Sequence, residues 1–128
     1  MKKIEVVKMA SMEEAEPTPG IVRDKAFESK TVLFARSRVP GGTKSAWHHH
    51  GDRDVYGFIL SGRLRFDFGR GGRSSVQALT GDYFHIPAGL VHRDVNPQPN
   101  QEAVVVNIFL GEGPSVFNVP GPARTRGA

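Results

Sequence analysis

The residues with the clearest chemical potential are the histidines, which all lie between positions 48 and 92; three of them are consecutive, His48, His49 and His50. Successive side chains of a strand point to opposite faces, so His48 and His50 project together and His49 points away. Two neutral imidazoles on one face can supply two ligands of a transition-metal site, and a third ligand must then come from elsewhere in the fold. A surface strand with polar histidines is the alternative, and only His85 and His92 remain as further histidine ligands.

The elements that position these residues are predicted to be short strands. Fifteen glycines and nine prolines are spread along the chain and divide it into brief segments without helical periodicity. Many short strands at even spacing are typical of a sandwich, jelly roll or small barrel, so an all-β fold is expected. The predicted strands cover residues 31–39, 43–50, 55–60, 63–68, 76–79, 83–86, 91–95 and 103–110.

Length predicts one domain, since 128 residues are close to the usual size of a single core. We expect an N-terminal arm with edge strands over 1–30, a barrel over 31–119 and a flexible tail over 120–128. Within the arm, residues 3–9 are predicted as an edge strand and 11–16 as a helical turn. The N-terminal lysines are not followed by the apolar segment of a signal peptide, and no run of 18 apolar residues occurs, so a cytoplasmic protein without a membrane span is expected.

Composition excludes several kinds of site. The chain has no cysteine, which removes disulfide scaffolds, thiolate zinc sites, iron–sulfur clusters and cysteine nucleophiles. Its net charge of +4 fits nucleic acid, an acidic membrane or anionic small molecules. No helix-turn-helix, aromatic RNA-binding pattern or zinc finger accompanies that charge, so no nucleic-acid partner is expected.

The spacing around the histidines resembles the two conserved motifs of the cupin superfamily. In the first, Gly42, five residues, His48, one residue and His50 are followed by Gly62. In the second, the pattern G-x5-P-x-G-x2-H-x3-N is matched at every fixed position, by Gly81, Pro87, Gly89, His92 and Asn96. The two motifs and the segment between them span residues 42–96. This resemblance implies a double-stranded β-helix, the cupin jelly-roll barrel, with its histidines on one metal inside the barrel mouth.

The resemblance implies His48, His50 and His92 as the metal ligands. It also implies a glutamate four or five positions after His50, where this sequence has Asp54 and Val55. Counting back from the glycine of the first motif selects Val55, and Asp54 would face the other way without a bulge, so Asp54 is the alternative fourth ligand. One divalent transition metal per chain is expected, with Fe²⁺ favoured and Mn²⁺, Ni²⁺, Zn²⁺ or Cu²⁺ as alternatives.

Further residues are candidates for the pocket. Asp94 follows His92 by two residues and so shares its face, where it could act as a base, orient a ligand histidine or bond water. Tyr56 and Lys44 are alternative groups for moving a proton. Gly57 would leave volume beside the metal, because a glycine inside a strand often marks a close approach.

Two other polar residues have open roles. His85 precedes the turn of the second motif, so the face on which it lies cannot be fixed, and a packed or surface position competes with the pocket. Asn107 interrupts the apolar run over residues 103–110 and, if buried, needs a polar partner or substrate.

The favoured function is a three-histidine dioxygenase, since several cupin dioxygenases use such an iron site. A metal-dependent lyase or isomerase and a non-enzymatic ligand-binding cupin are the alternatives, because cupins host all three. The expected partner is a small-molecule substrate, anionic if one of the arginine pairs Arg36/Arg38 and Arg63/Arg65 rims the mouth. The resemblance to small single-domain cupins also implies a homodimer.

Overall fold

Strands are the main regular structure of the computed structural model, which describes residues 2–122. Within these residues there are eleven strands, with short 3₁₀ helices at Met9–Ser11 and Arg70–Gly72. The strands are β1 (Glu13–Glu14), β2 (Val22–Glu28), β3 (Val32–Val39), β4 (His48–His49), β5 (Asp54–Ser61), β6 (Arg63–Phe68), β7 (Ser74–Leu79), β8 (Tyr83–Ile86), β9 (His92–Val95), β10 (Ala103–Leu110) and β11 (Phe117–Asn118).

The strands form two antiparallel sheets. One sheet has six strands in the order β1-β2-β3-β10-β5-β8, and the other has five in the order β11-β4-β9-β6-β7. Neighbouring strands are often distant in sequence: β10 lies between β3 and β5, and β4 lies between β11 and β9. Two sheets joined by such crossovers form a jelly roll, so the predicted all-β barrel is confirmed.

Alternation of side chains places the core between the sheets. On β10, Ala103, Val105 and Phe109 are at most 1% exposed, whereas the side chains of Val104, Val106 and Ile108 lie on the other face. On β5, Val55 and Ile59 are equally buried. Each large apolar side chain buried in this way stabilises the fold by about 1.5–3 kcal/mol.

The strand predicted over residues 43–50 is much shorter than expected. Only His48–His49 forms a strand, and Lys44 contributes an isolated bridge to Val95. The preceding backbone has two different partners: Ser45 N donates to Asp94 O (2.8 Å), but Ala46 N donates to Pro19 O (2.9 Å). Because these partners lie in different segments, no regular ladder forms before His48.

The N-terminal arm also differs from prediction. Residues 3–9 form no strand, and the helical turn expected over 11–16 is replaced by β1, which pairs with β2. The position of β2 was not predicted, because its sequence VRDKAFE has charged residues where an alternating apolar pattern would be expected. The segment 120–122 has no regular structure, and the remainder of the predicted tail lies outside the described residues.

The outer face of the six-stranded sheet carries several large apolar side chains beside charged ones. Tyr56, Leu60 and Leu110 project from it with exposures of 47%, 53% and 41%, and Tyr83 is 81% exposed. The rings of Phe58 and Tyr83 lie 4.8 Å apart across the pairing of β5 with β8. No helix among residues 2–122 is long and apolar enough to cross a membrane.

Candidate metal centre

Three buried imidazoles converge on the inner face of the five-stranded sheet. His48 and His92 are directly opposite in the pairing of β4 with β9, and His50 follows the end of β4. The ring centroids are 4.3 Å apart for His48 and His92, 5.2 Å for His48 and His50, and 5.1 Å for His50 and His92. One ligand nitrogen from each ring lies within 4.8 Å of the others. The structure therefore brings together the three histidines predicted as ligands.

Backbone carbonyls fix the orientation and tautomer of each ring. The Nδ1 atoms bond to carbonyl oxygens, from His48 to Ala46 (2.8 Å), from His50 to Ser115 (2.9 Å) and from His92 to Leu90 (2.9 Å). A carbonyl can only accept, so Nδ1 carries the proton and Nε2 keeps its lone pair.

The Nε2 atoms provide the test of whether a metal fits. In the described part of the chain, Nε2 of His48 and Nε2 of His92 are buried and have no hydrogen-bond partner. Buried nitrogens with free lone pairs are costly unless something satisfies them, and a divalent cation does so. The donor set of three such imidazoles therefore fits a transition metal.

Burial also keeps these rings neutral. It lowers the pKa of His48 to about 2 and that of His50 to about 3, and the repulsion that a protonated ring would meet from a protonated His92 acts in the same direction. Burial lowers the pKa of His92 as well, although the carboxylate of Asp94 opposes this shift. Protons therefore do not compete with a metal for these nitrogens near neutral pH.

Asp94 adds a carboxylate to the group. Its Oδ1 atom lies 3.8 Å from Nε2 of His48 and 3.6 Å from Nε2 of His92, and it is buried without a hydrogen-bond partner among the described residues. Burial raises the pKa of Asp94, whereas His92 in its protonated form and the charge of Arg23 lower it. The prediction that Asp94 shares the inward face with His92 is confirmed.

Arg23 is a charged residue near this site that the sequence analysis did not single out. Its side chain is buried, and Nη1 donates to Thr18 Oγ1 (2.8 Å) and to Glu16 O (3.2 Å). Burial lowers its pKa to about 10, against the attraction of Asp94 and Glu16, so it remains a cation. Arg23 points inward because of its position in β2. The charged residues of this strand leave no apolar alternation from which that position could be predicted.

Sequence comparison places these features in a known family. A family model of the cupin domain matches residues 35–109, which is more than half of the chain. The chain is a cupin. A comparison with curated proteins found no match.

Solved structures agree with this fold. An uncharacterized conserved protein with a double-stranded β-helix domain from Klebsiella pneumoniae has a TM-score of 0.67 at 19% identity, covering 81% of this chain and 89% of that one. KdgF from Halomonas sp. also reaches 0.67, at 17% identity, over 85% of this chain and 96% of that one. A variant of Bacillus subtilis oxalate decarboxylase reaches 0.71 at 21% identity over 87% of this cupin, which spans only 31% of that chain.

The position expected for the cupin glutamate is apolar. Val55 is 1% exposed and faces the core, so its neighbour Asp54 points outward. There Asp54 Oδ1 accepts hydrogen bonds from His85 Nε2 (2.8 Å) and Ala88 N (3.2 Å), and the bond from His85 lowers the pKa of Asp54. The structure does not bring Asp54 to the histidines, which corrects its prediction as a fourth ligand.

The rings of Tyr56 and His85 also lie away from the three histidines, although His85 borders an apolar cavity next to His92. Their rings stack on the outer face of the six-stranded sheet, with centroids 4.5 Å apart and an interplanar angle of 12°. Tyr56 is two residues after Asp54 on β5, so its side chain points to the same outer face. Neither ring is placed to transfer a proton at the metal centre, contrary to the prediction for Tyr56.

The other residues predicted to line the pocket are exposed or are in contact with other protein groups. Lys44 is exposed. The residue that contacts Asp94 is instead the buried Ser45, whose Oγ accepts from Asp94 N (2.9 Å). This difference arises because the chain before His48 is not a regular strand. Gly57 does face inward, but the space over it is filled by the ring of Phe84 rather than left open. Asn107 is buried and its Oδ1 accepts from Ser37 Oγ (3.1 Å), which satisfies that oxygen without substrate.

Three of the four arginines that suggested an anionic substrate bond to aspartates of the same sheets. Arg36 and Arg38 each donate to Asp24 Oδ2 at 3.3 Å, and Arg65 donates to Asp67. The cation that acts electrostatically on the site is Arg23, from a different strand.

Proposed function

We propose that this cupin is a metal-dependent enzyme that acts on a small organic molecule, and that it is a dioxygenase. The observation that carries the proposal is the convergence of three fixed imidazoles with free Nε2 lone pairs, two of them buried without partners. All three ligands are neutral, so an ion held there keeps its full double charge. When bound, the metal supplies open positions at which an organic chelate and O₂ meet. Fe²⁺ suits this chemistry, with Mn²⁺, Ni²⁺, Zn²⁺ and Cu²⁺ as the alternatives.

Each residue has a distinct task in this proposal. His48, His50 and His92 hold the metal through Nε2, and the three backbone carbonyls keep their rings in place. Asp94, with a free oxygen facing two of the rings, takes the proton from an acidic hydroxyl of the substrate as it binds. The buried charge of Arg23 favours the anion that results. This arrangement of a base and a nearby cation suits a substrate that carries an anionic oxygen at the end facing the histidines.

A lyase or isomerase is the second candidate. It is favoured by the same free oxygen of Asp94, which could move a proton to or from a carbon atom instead of an oxygen. The structural likeness to oxalate decarboxylase, a protein with Mn(II) centres, is also compatible with non-oxygenase chemistry. A ligand-binding cupin without turnover is the third reading.

One experiment separates these functions. Protein purified without a histidine tag is expected to contain about one metal ion per chain by mass spectrometry. Iron together with oxygen consumption, in a screen of diketones, catechols and hydroxy acids, would support the dioxygenase. Turnover without oxygen consumption would establish the lyase or isomerase, and metal without turnover would favour a binding role.

Asp94→Asn is expected to keep the metal but to lower turnover by about 10²–10⁴-fold, the usual contribution of a general base. The amide preserves shape but cannot accept the proton. Asp54→Asn is the matched control, since Asp54 lies on the outer face, and it is expected to leave turnover unchanged. Equal activity of the two variants would exclude Asp94 from the reaction.

We also propose that two copies of this cupin form a homodimer through the outer face of the six-stranded sheet. That face carries large exposed apolar side chains, an arrangement typical of protein interfaces. Light scattering is expected to give twice the chain mass of 14.0 kDa. Leu60→Lys is expected to convert the dimer into a monomer, whereas Leu79→Lys, at an exposed leucine of the other sheet, is not. A monomeric wild-type protein would contradict the proposal.

A further inference from the structure

The metal ligand His92 is also a wall of an apolar cavity. The cavity has a volume of about 280 Å³ and lies between β6 and β7 of one sheet and β8 of the other. Apart from His92 and His85, its lining consists of carbon-rich side chains, among them Phe66, Phe68, Val76 and Leu90. A larger depression of about 480 Å³ beside Trp47 and Arg93 has none of the three metal-site histidines in its lining, so size alone does not locate the substrate.

The inner end of the cavity is built from aromatic rings. The centroids of Phe66 and Phe84 lie 4.8 Å apart, and Phe66 lies 6.4 Å from the ring of His92 in an edge-on arrangement. Gly57 determines the position of Phe84, because a β-carbon at residue 57 would collide with that ring. The end of the Phe84 ring therefore lies close against β5, and a larger residue at position 57 would push it into the cavity.

The size and lining of the cavity define what fits. A cavity of about 150 Å³ already holds benzene, so 280 Å³ accommodates a ring with substituents. A charged group away from the metal end would be buried against phenylalanine and aliphatic side chains without a partner, which is strongly unfavourable. A ligand would therefore place its charged, metal-binding group at the three histidines and its apolar part in the cavity beyond His92.

We infer that this cavity holds the apolar body of the substrate, a planar group about the size of one substituted ring, with the oxygen-bearing end of the molecule at the histidines. The inference rests on the proposed function and narrows its substrate class. It disfavours small dicarboxylates, which are charged at both ends, and favours compounds with a single chelating end.

Two hydroxamates test this inference, since they share one chelating end and differ only in the attached group. Benzohydroxamate is expected to bind the metal-loaded protein about tenfold or more tightly than acetohydroxamate by calorimetry, because its ring removes apolar surface from water. Val76→Phe, which fills the cavity from a half-exposed position, is expected to abolish that preference without weakening acetohydroxamate. Leu79→Phe, on the opposite face of the same strand, is the control and is expected to retain it.

The outcomes distinguish this inference from the metal site. Equal affinity of the two hydroxamates for loaded wild-type protein would overturn the cavity assignment and leave the metal site standing. If the protein takes up no metal, the proposed function fails, and toluene binding to the metal-free protein, detected by saturation-transfer NMR, then tests the cavity alone. Binding by wild type but not by Val76→Phe would support it, and no binding by wild type would overturn it.

Discussion

His92→Gln is expected to reduce the metal content from about one ion per chain to a few per cent of that, with an affinity at least about 100-fold weaker. Loss of outer partners alone costs 10–100-fold, and loss of a ligand costs more. Glutamine replaces the imidazole nitrogen of His92, opposite His48 in the pairing of β4 with β9, with an amide oxygen, which is a much weaker donor to a transition metal. Metal content by mass spectrometry and competition with a chelator measure the effect.

The matched control is His85→Gln, which removes an imidazole stacked on the outer face. It is expected to retain full metal content. The metal-free His92→Gln protein is expected to unfold at nearly the same temperature as metal-free wild type, because the barrel core does not depend on this side chain. Full metal occupancy in a folded His92→Gln protein would contradict the three-histidine assignment.

Asn96→Ala is expected to lower the free energy of unfolding by about 3 kcal/mol or more. Asn96 is 1% exposed, and its Nδ2 donates to Val39 O (3.0 Å) and Gln101 O (2.7 Å) while its Oδ1 accepts from Gln98 N (3.0 Å). Each buried group left without a partner costs about 1–3 kcal/mol. Alanine removes all three bonds at once, so β3 and the loop after β9 lose their connection.

Thermal and urea unfolding measure this change, with a decrease in Tm of about 10 °C or more expected for a domain of this size. Asn100→Ala is the control, since Asn100 is exposed in the same loop. Its effect is expected to stay within about 0.5 kcal/mol, as for most surface substitutions. A loss of less than 1 kcal/mol in Asn96→Ala would mean that water replaces the amide.

The convergence of the three histidines could be predicted because the information for it is local. The spacing of His48 and His50 follows strand alternation, and the second motif fixes His92 and Asn96 within a single turn and strand. The same parity argument correctly placed Asp94 beside His92 and placed Val55, rather than Asp54, toward the core. For these residues, the side chain's face is determined by its neighbours in sequence.

Prediction failed where tertiary contacts override the local pattern. Lys44 and His48 would share a face in a continuous strand, but Ser45 and Ala46 bond to different segments and break the alternation. Arg23 is concealed for a related reason, since a charged residue at an inward position gives β2 no apolar periodicity. The volume expected at Gly57 is occupied by Phe84, which the sequence of β5 alone cannot indicate.

The order of strands in the sheets has a kinetic consequence. β4 and β9, which bear His48 and His92, are separated in sequence by β5 to β8, and β4 is also bordered by β11 near the end of the described chain. Pairings between distant segments require large loops to close first, so such barrels fold on a timescale of milliseconds to seconds. His48 and His92 come together only when β4 pairs with β9. On the proposed metal function, we therefore expect an ion to bind after this long-range pairing has formed and not to direct it.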